Sequence, residues 1–114
     1  MLKAKIIFFI FFLISFSSLY SQDHREKDSL ISQIARAKED SLKVKKLLAL
    51  ARLSLRDEPQ KANDYIKTAF DLAIKVKYAK GQINALNCIA DESWNNTNYE
   101  NAIKYYYKAY RVSD

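Results

Sequence analysis

A spaced pattern of apolar and small residues occurs twice in the chain. The first copy consists of Leu47, Leu50, Ala51, Ser54, Ala62, Ile66 and Ala69, and the second of Leu86, Ile89, Ala90, Ser93, Ala102, Tyr106 and Ala109. The copies are 39 residues apart in their first halves (47 to 86) and 40 apart in their second halves (62 to 102). A period of this length indicates helical hairpins that stack on one another and form a scaffold for binding another protein.

The composition favours the same kind of fold. The 114 residues include one glycine and one proline, which leaves few tight turns for a β-rich structure. We therefore expect an all-α fold with two antiparallel helix-turn-helix units, at about 41–77 and 81–114. A chain of this length has room for one small domain with a marginal core.

Apolar residues recur at helical spacing in four segments of this region. The first unit has inner faces made of Val44, Leu47, Leu48, Ala51 and Leu55, then Ala62, Ile66, Ala69, Phe70 and Ala73. The second unit has Ile83, Leu86, Ile89 and Ala90, then Tyr99, Ala102, Ile103, Tyr106, Ala109 and Tyr110. Small alanines at matched positions predict that paired helices approach each other closely.

Local signals indicate where these helices begin and end. Asp40-Ser41 is suited to cap one helix, and Pro59 is suited to the first turn of the next. Gly81 is expected to serve a helix end or a close approach between elements. The turn of the second unit is predicted at residues 95–98.

The residues before the first unit are expected to form a separate segment, 22–40, with one short helix. Leu30, Ile31 and Ile34 define its apolar face, and Asp28 or Ser29 is predicted to cap its start. This helix is expected to pack as a lid over the first hairpin.

The first 21 residues have the layout of a secretory signal peptide. Lys3 and Lys5 precede an apolar run from Ile6 to Phe16, and a polar end leads to cleavage after Ser21. The alternative is an uncleaved anchor, but the apolar run is shorter than the roughly 18–20 residues that span a bilayer. The sequence therefore predicts an exported protein.

The repeated residues resemble the tetratricopeptide repeat (TPR) family. A unit of that family has a large residue, Leu-Gly and Tyr in its first helix, and Ala, an aromatic residue and Ala in its second. The second copy matches at Leu86, Ile89-Ala90, Tyr99, Ala102, Tyr106 and Ala109, and the first at Leu47, Leu50-Ala51, Ala62 and Ala69. The resemblance covers roughly residues 41–114.

Some features depart from the family pattern. Ile66 replaces the aromatic residue, Ser54 and Ser93 stand where Tyr is usual, and the period exceeds the family's 34 residues. HEAT and armadillo repeats have periods near this length but lack this alanine spacing, and they remain a minor alternative.

An export signal followed by TPR-like units also resembles the amino-terminal region of bacterial sensor kinases and related regulators. In those proteins a periplasmic TPR array precedes a membrane helix and a cytoplasmic output domain, of which this sequence is expected to carry only the sensor-like portion. The resemblance implies a periplasmic or secreted bacterial protein. Contact with a membrane would then require an uncleaved signal or a downstream region.

The first helices of successive TPR units line a groove that takes a partner segment. The resemblance therefore implies groove residues at Lys45, Arg52, Asn84, Asn87, Asp91 and Trp94, with Leu48 and Leu55 beside them. Trp94, Asn87 and Asp91 are predicted to hold an extended peptide by stacking and by hydrogen bonds to its backbone. The alternative is that Trp94 is a structural aromatic that closes the second hairpin.

The sequence does not favour catalysis. Cys88 is the only cysteine, which excludes an intramolecular disulfide and a cysteine-based metal site. His24 is the only histidine and lies in the polar stretch after the cleavage region, so a Ser-His-Asp triad and a histidine metal site are not available. Asp91 and Glu92 are adjacent in a helix and point in different directions, unlike a glycosidase pair. We expect no enzyme activity, no cofactor and no metal site.

The expected partner is a protein or peptide. The net charge is +6, but the basic residues are interleaved with acidic ones along the chain, which argues against a nucleic-acid surface. Repeat arrays usually end in a capping helix with a polar outer face, whereas the last predicted helix here has Tyr106 and Tyr110 on its inner face. The sequence therefore predicts either a piece of a longer array or self-association through this helix, with a structural self-assembling protein as the alternative function.

Overall fold

The structure, a computed structural model, describes residues 24–114. The predicted signal peptide and its cleavage point lie outside the described residues. Residues 24–114 form helices and contain no strand, as the all-α prediction requires. Helix α1 is described over residues 24–36, and it is followed by α2 (Ser41–Ser54), α3 (Pro59–Lys75), α4 (Ala79–Asn95) and α5 (Tyr99–Ser113).

The start predicted for α1 is wrong. Residues 24–27 are already helical, so Asp28 and Ser29 lie inside the helix and do not cap it. Lys27 is buried in the helical turn that precedes Asp28, and its ammonium group donates a hydrogen bond to Asp57 in the turn after α2. This contact joins the part of α1 before Asp28 to the first hairpin. This ion pair lowers the pKa of the Asp57 carboxyl.

The starts predicted for α2 and α3 are confirmed. Asp40 precedes α2, and its Oδ1 accepts a hydrogen bond of 3.1 Å from the backbone N–H of Lys43. Pro59 occupies the first turn of α3, where its missing N–H leaves no hydrogen bond unmade. Both signals are local, which explains why they could be recognised in the sequence.

The turns after α3 and α4 share one backbone conformation. Lys77 and Thr97 both have positive φ, at 57° and 62°. The next amide in each turn donates to a carbonyl five residues earlier, Tyr78 to Ala73 and Asn98 to Ser93, at 2.8 Å in both. This pattern is the Schellman motif, in which the left-handed position usually holds glycine.

Gly81 lies within α4, where it allows a close approach. A Cβ atom at this position would be 2.5 Å from Cδ1 of Tyr78 and 2.8 Å from Cγ1 of Val44. Both distances are below van der Waals contact. The glycine therefore lets the start of α4 lie directly against α2.

The core lies between α2, α3 and α4. Neighbouring helices pack in chain order, α2 on α3, α3 on α4 and α4 on α5, with a smaller contact between α2 and α4. The connecting turns are short, so helices joined by a turn run antiparallel. The buried cluster consists of Val44, Leu47, Leu48, Ala51, Ile66, Ala69, Leu72, Ala73 and Ala85.

The inner face predicted for α5 is only partly correct. Ala102 and Ala109 are buried, whereas Tyr99, Ile103, Tyr106 and Tyr110 are exposed. Among α2–α5, this last helix packs against α4 alone, so only the alanine side of the face is covered. Nor does any helix within residues 24–114 combine the length and the apolar character needed to span a bilayer.

Candidate binding surface on α2 and α4

The six predicted groove residues lie on two helices. They are Lys45 and Arg52 on α2, and Asn84, Asn87, Asp91 and Trp94 on α4, and together we name them the α2/α4 face. Their spacings of three, four and seven residues place them on one side of each helix. The two asparagines are half-buried and the other four residues are exposed.

Two apolar residues predicted beside the groove have different surroundings. Leu48 is buried in the core cluster, so it packs the interior and is not available to a partner. Leu55 is half-buried at the residue that follows α2. The sequence pattern could not separate these positions because an apolar residue at the edge of a helix face suits either role.

Cys88 lies where α2 and α4 meet. Burial raises the pKa of its thiol above the ordinary 9.0, while the charge and hydrogen bonding of the Arg52 guanidinium act to lower the pKa. The Asp91 carboxylate acts on the same thiol and raises its pKa. Arg52 and Asp91 are therefore close to the same half-buried thiol, although they belong to different helices.

Asp91 also connects this face to α5. The hydroxyl of Tyr106 donates a hydrogen bond to Oδ1 of Asp91. Because the bond favours the neutral hydroxyl beside a carboxylate, it raises the pKa of Tyr106. The carboxylate keeps further oxygen lone pairs that a bound peptide could use.

Trp94 packs against Tyr99 at the turn between α4 and α5. The ring centroids are 4.8 Å apart and the planes meet at 64°, an edge-to-face arrangement. Trp94 is nevertheless 54% exposed. The indole therefore has a packing partner at the end of the hairpin and also a wide surface in contact with solvent.

A cleft that the sequence did not predict lies between α3 and α5, with α4 as its floor. It has a volume of about 630 Å³, and its lining includes Asn63, Lys67 and Asp71 from α3, with Tyr105 and Lys108 from α5. None of the six predicted groove residues lines it. A polar stripe at positions 63, 67 and 71 of α3 was the available signal, but solvated helix faces have the same appearance.

A second cleft, of about 450 Å³, lies between α1 and α2 and includes Arg52 in its lining. No group of three or more His, Cys, Asp or Glu side chains within residues 24–114 is arranged to hold a metal ion. Searches against protein-family models, curated proteins and solved structures return no match for the chain.

Proposed function

We propose that this chain is an exported, TPR-like interaction module that binds a protein segment or peptide across the α2/α4 face. Corresponding positions in the two sequence copies have similar surroundings, which supports the repeat interpretation. Ala62 and Ala102 are both fully buried. Ser54 and Ser93 are both buried, and each donates a hydrogen bond to the carbonyl four residues earlier, at 2.9 and 3.0 Å.

The observation that carries the binding proposal is that Arg52 of α2 hydrogen-bonds Cys88 of α4, one helical turn before Asp91. Together with the direct packing of α2 on α4, this contact supports one surface shared by the polar residues of the two helices. A cationic and an anionic group side by side suit the carbonyl and N–H dipoles of an extended peptide, and Asn87 offers both donors and acceptors. The exposed part of Trp94 adds a rigid apolar surface, which is typical of binding hot spots.

The proposal is tested with a library of random linear peptides panned against the purified protein. Trp94 is the only tryptophan, so its fluorescence reports binding of a selected peptide directly. The double variant Asn87→Ala/Asp91→Ala is expected to weaken binding at least about tenfold, the effect of losing roughly 1.4 kcal/mol. Its far-UV circular dichroism should remain that of the unaltered protein.

Two matched controls define the site. Asn63→Ala/Asp71→Ala removes the same residue types from the cleft between α3 and α5 and should leave peptide affinity unchanged. Tyr106→Phe removes the internal hydrogen bond to Asp91 but keeps the carboxylate, so binding should persist. If peptide binding is lost in Asn63→Ala/Asp71→Ala and kept in Asn87→Ala/Asp91→Ala, the site lies in the cleft between α3 and α5. That result would contradict the proposal.

The export part of the proposal has a separate test. Expression in a bacterium with its own leader, followed by amino-terminal sequencing of the recovered protein, is expected to give a chain that begins at Gln22. A chain that begins at Met1 and fractionates with membranes would favour the uncleaved anchor. Whether the module is the sensor region of a signalling protein is decided by the coding sequence downstream of Asp114, where further units, a membrane helix and an output domain are expected.

A further inference from the structure

Helix α5 has an apolar stripe that α2, α3 and α4 leave largely uncovered. Its residues are Tyr99, Ile103, Tyr106 and Tyr110, which we name the α5 stripe, and they are between 39% and 65% exposed. Tyr107, beside the stripe, is 60% exposed. Single exposed apolar residues are normal on a protein surface, but a contiguous set of this kind marks an interaction site.

The spacing of the stripe is that of a helix-to-helix seam. Successive members are four, three and four residues apart, the alternation found where two helices pack lengthwise. Lys104 and Lys108 lie off the stripe, where they stay in water. Ala102 and Ala109 face α4. Tyr99 and Tyr106 also contact α4, at Trp94 and Asp91, but the outer side of the stripe is not covered by α2, α3 or α4 and could receive a second helix.

Helix α3 has the corresponding face, and there the large side chain is buried because a further helix covers it. Ile66 of α3 corresponds to Tyr106 of α5 in the sequence pattern, and it is 1% exposed. Helix α3 is packed on by both α2 and α4, whereas among these helices α5 is packed on by α4 only. The occupant that suits the α5 stripe is therefore another antiparallel helix.

We propose that two copies of this chain associate through their α5 stripes, with the two α5 helices antiparallel. Charge supports the choice of a second copy as the occupant. Glu100 is in the first turn of α5 and Arg111 in the last, so an antiparallel pair brings each Glu100 near Arg111 of the second copy. A parallel pair would instead place each of these charges beside its own counterpart, which is unfavourable.

The available area is consistent with a dimer of modest affinity. Aromatic side chains bury about 150–250 Å² each. The four residues of the α5 stripe and Tyr107 are about half exposed, so together they offer about 500 Å² of surface per copy. The pair would bury about 1,000 Å², close to the lower limit for a specific interface. Tyrosine is enriched in such interfaces because its ring is rigid and its hydroxyl can remain hydrated.

The first test measures the mass of the purified protein by light scattering over a range from low to high micromolar concentration. We expect a concentration-dependent increase toward twice the chain mass. Ile103→Glu and Tyr110→Glu should each weaken association at least about tenfold, because they place a charge in the seam. Ile74→Glu is the matched control, since Ile74 is 50% exposed on α3 away from the stripe, and it should leave association unchanged.

The second test establishes the orientation. Glu100→Lys and Arg111→Glu are each expected to weaken the dimer, and the double variant is expected to restore it, because the exchanged charges again face each other. Circular dichroism at each step controls for loss of helix. The rescue is specific to an antiparallel pair of identical chains.

Four results would overturn the proposal. One is a monomer at every concentration, and another is a dimer that the α5 variants do not weaken. A third is a monomer that binds anionic phosphatidylglycerol vesicles and loses this binding in Ile103→Glu, which would assign the stripe to a lipid surface. A dimer that the stripe variants weaken but the charge exchange does not restore would rule out the antiparallel arrangement.

Discussion

Helices α3 and α5 have alanines at matched positions but bury very different amounts of the large side chain between them. Ala62 and Ala69 in α3, and Ala102 and Ala109 in α5, are all buried, whereas Ile66 is 1% exposed and Tyr106 is 39% exposed. Both helices pack on the helix before them, but only α3 is packed on by a helix after it. The preceding helix is therefore enough to bury the alanines, and burial of the large residue requires the following helix.

The most direct way to break this comparison is to truncate both large residues. Ile66→Ala should lower the free energy of unfolding by about 3 kcal/mol, because it leaves a cavity inside the core. Tyr106→Ala should cost much less, because the side chain and its hydrogen bond to Asp91 are exposed to solvent. Urea unfolding at a concentration where the protein is monomeric measures both values, and equal losses would contradict the comparison.

A second test compares the third residue of α4 with the third residue of α5. Gly81→Ala forces Tyr78 or Val44 to move, so it should lower stability by about 1–2 kcal/mol after allowing for alanine's better helix propensity. Asn101→Ala removes only a 2.7 Å hydrogen bond to Oγ of Ser93 and should cost about 0.5–1 kcal/mol. The midpoint of thermal unfolding ranks the two variants, and a neutral Gly81→Ala would contradict the close approach.

The sequence predicted features of the fold that depend on neighbouring residues. The cap at Asp40 and the proline at the start of α3 were correct, and so were the buried faces of α2 and α3 apart from the half-buried Leu55 and Phe70, because each is set within one or two helical turns. The exposure of Tyr106 and Tyr110 was not predictable, since it depends on which helices lie next to α5. The contact that Lys27 makes in the turn before Asp28 was not predictable for a similar reason, because its partner lies thirty positions away.

The candidate surface was predictable only in part. The positions of Asn87, Asp91 and Trp94 on one helix face follow from their spacing, and their role in binding stays a prediction. The hydrogen bonds from Tyr106 to Asp91 and between Arg52 and Cys88 could not be foreseen, because they join different helices. The cleft between α3 and α5 was missed because its polar walls have the composition of an ordinary solvated surface.

A third test sharpens the comparison at the turns that end α3 and α4. Thr97→Gly should raise stability by about 0.5–1 kcal/mol, because a β-branched residue is strained at positive φ. Lys77→Gly should give a smaller gain, since lysine is not branched at Cβ. Arg56→Gly in the turn after α2, where φ is not positive, is the control and should cost about 0.5 kcal/mol. Chemical denaturation measures all three, and a loss of stability in Thr97→Gly would contradict the strain.

The smallest expected effect is a loss of stability at high pH. Two groups are expected to contribute to it, the thiol of Cys88 on α4 and the hydroxyl of Tyr106 on α5. In the folded protein both groups have a pKa raised above the ordinary values of 9.0 and 10.0. As the pH rises through these ordinary values the unfolded chain loses its protons first, so the stability that each neutral group contributes is lost as the pH approaches its folded pKa.

The unfolding midpoint is measured at about pH 8 and about pH 11, which lie on either side of the ordinary thiol and phenol pKa values. The difference between the two midpoints should be larger in the unaltered protein than in Cys88→Ala or Tyr106→Phe. The two variants should flatten different parts of the profile, with the cysteine acting at lower pH than the tyrosine. A profile that neither substitution changes would show that the thiol and the hydroxyl do not have the surroundings described here. Because Tyr106 is the more accessible group, its share should also decrease with added salt, whereas that of the partly buried thiol should not.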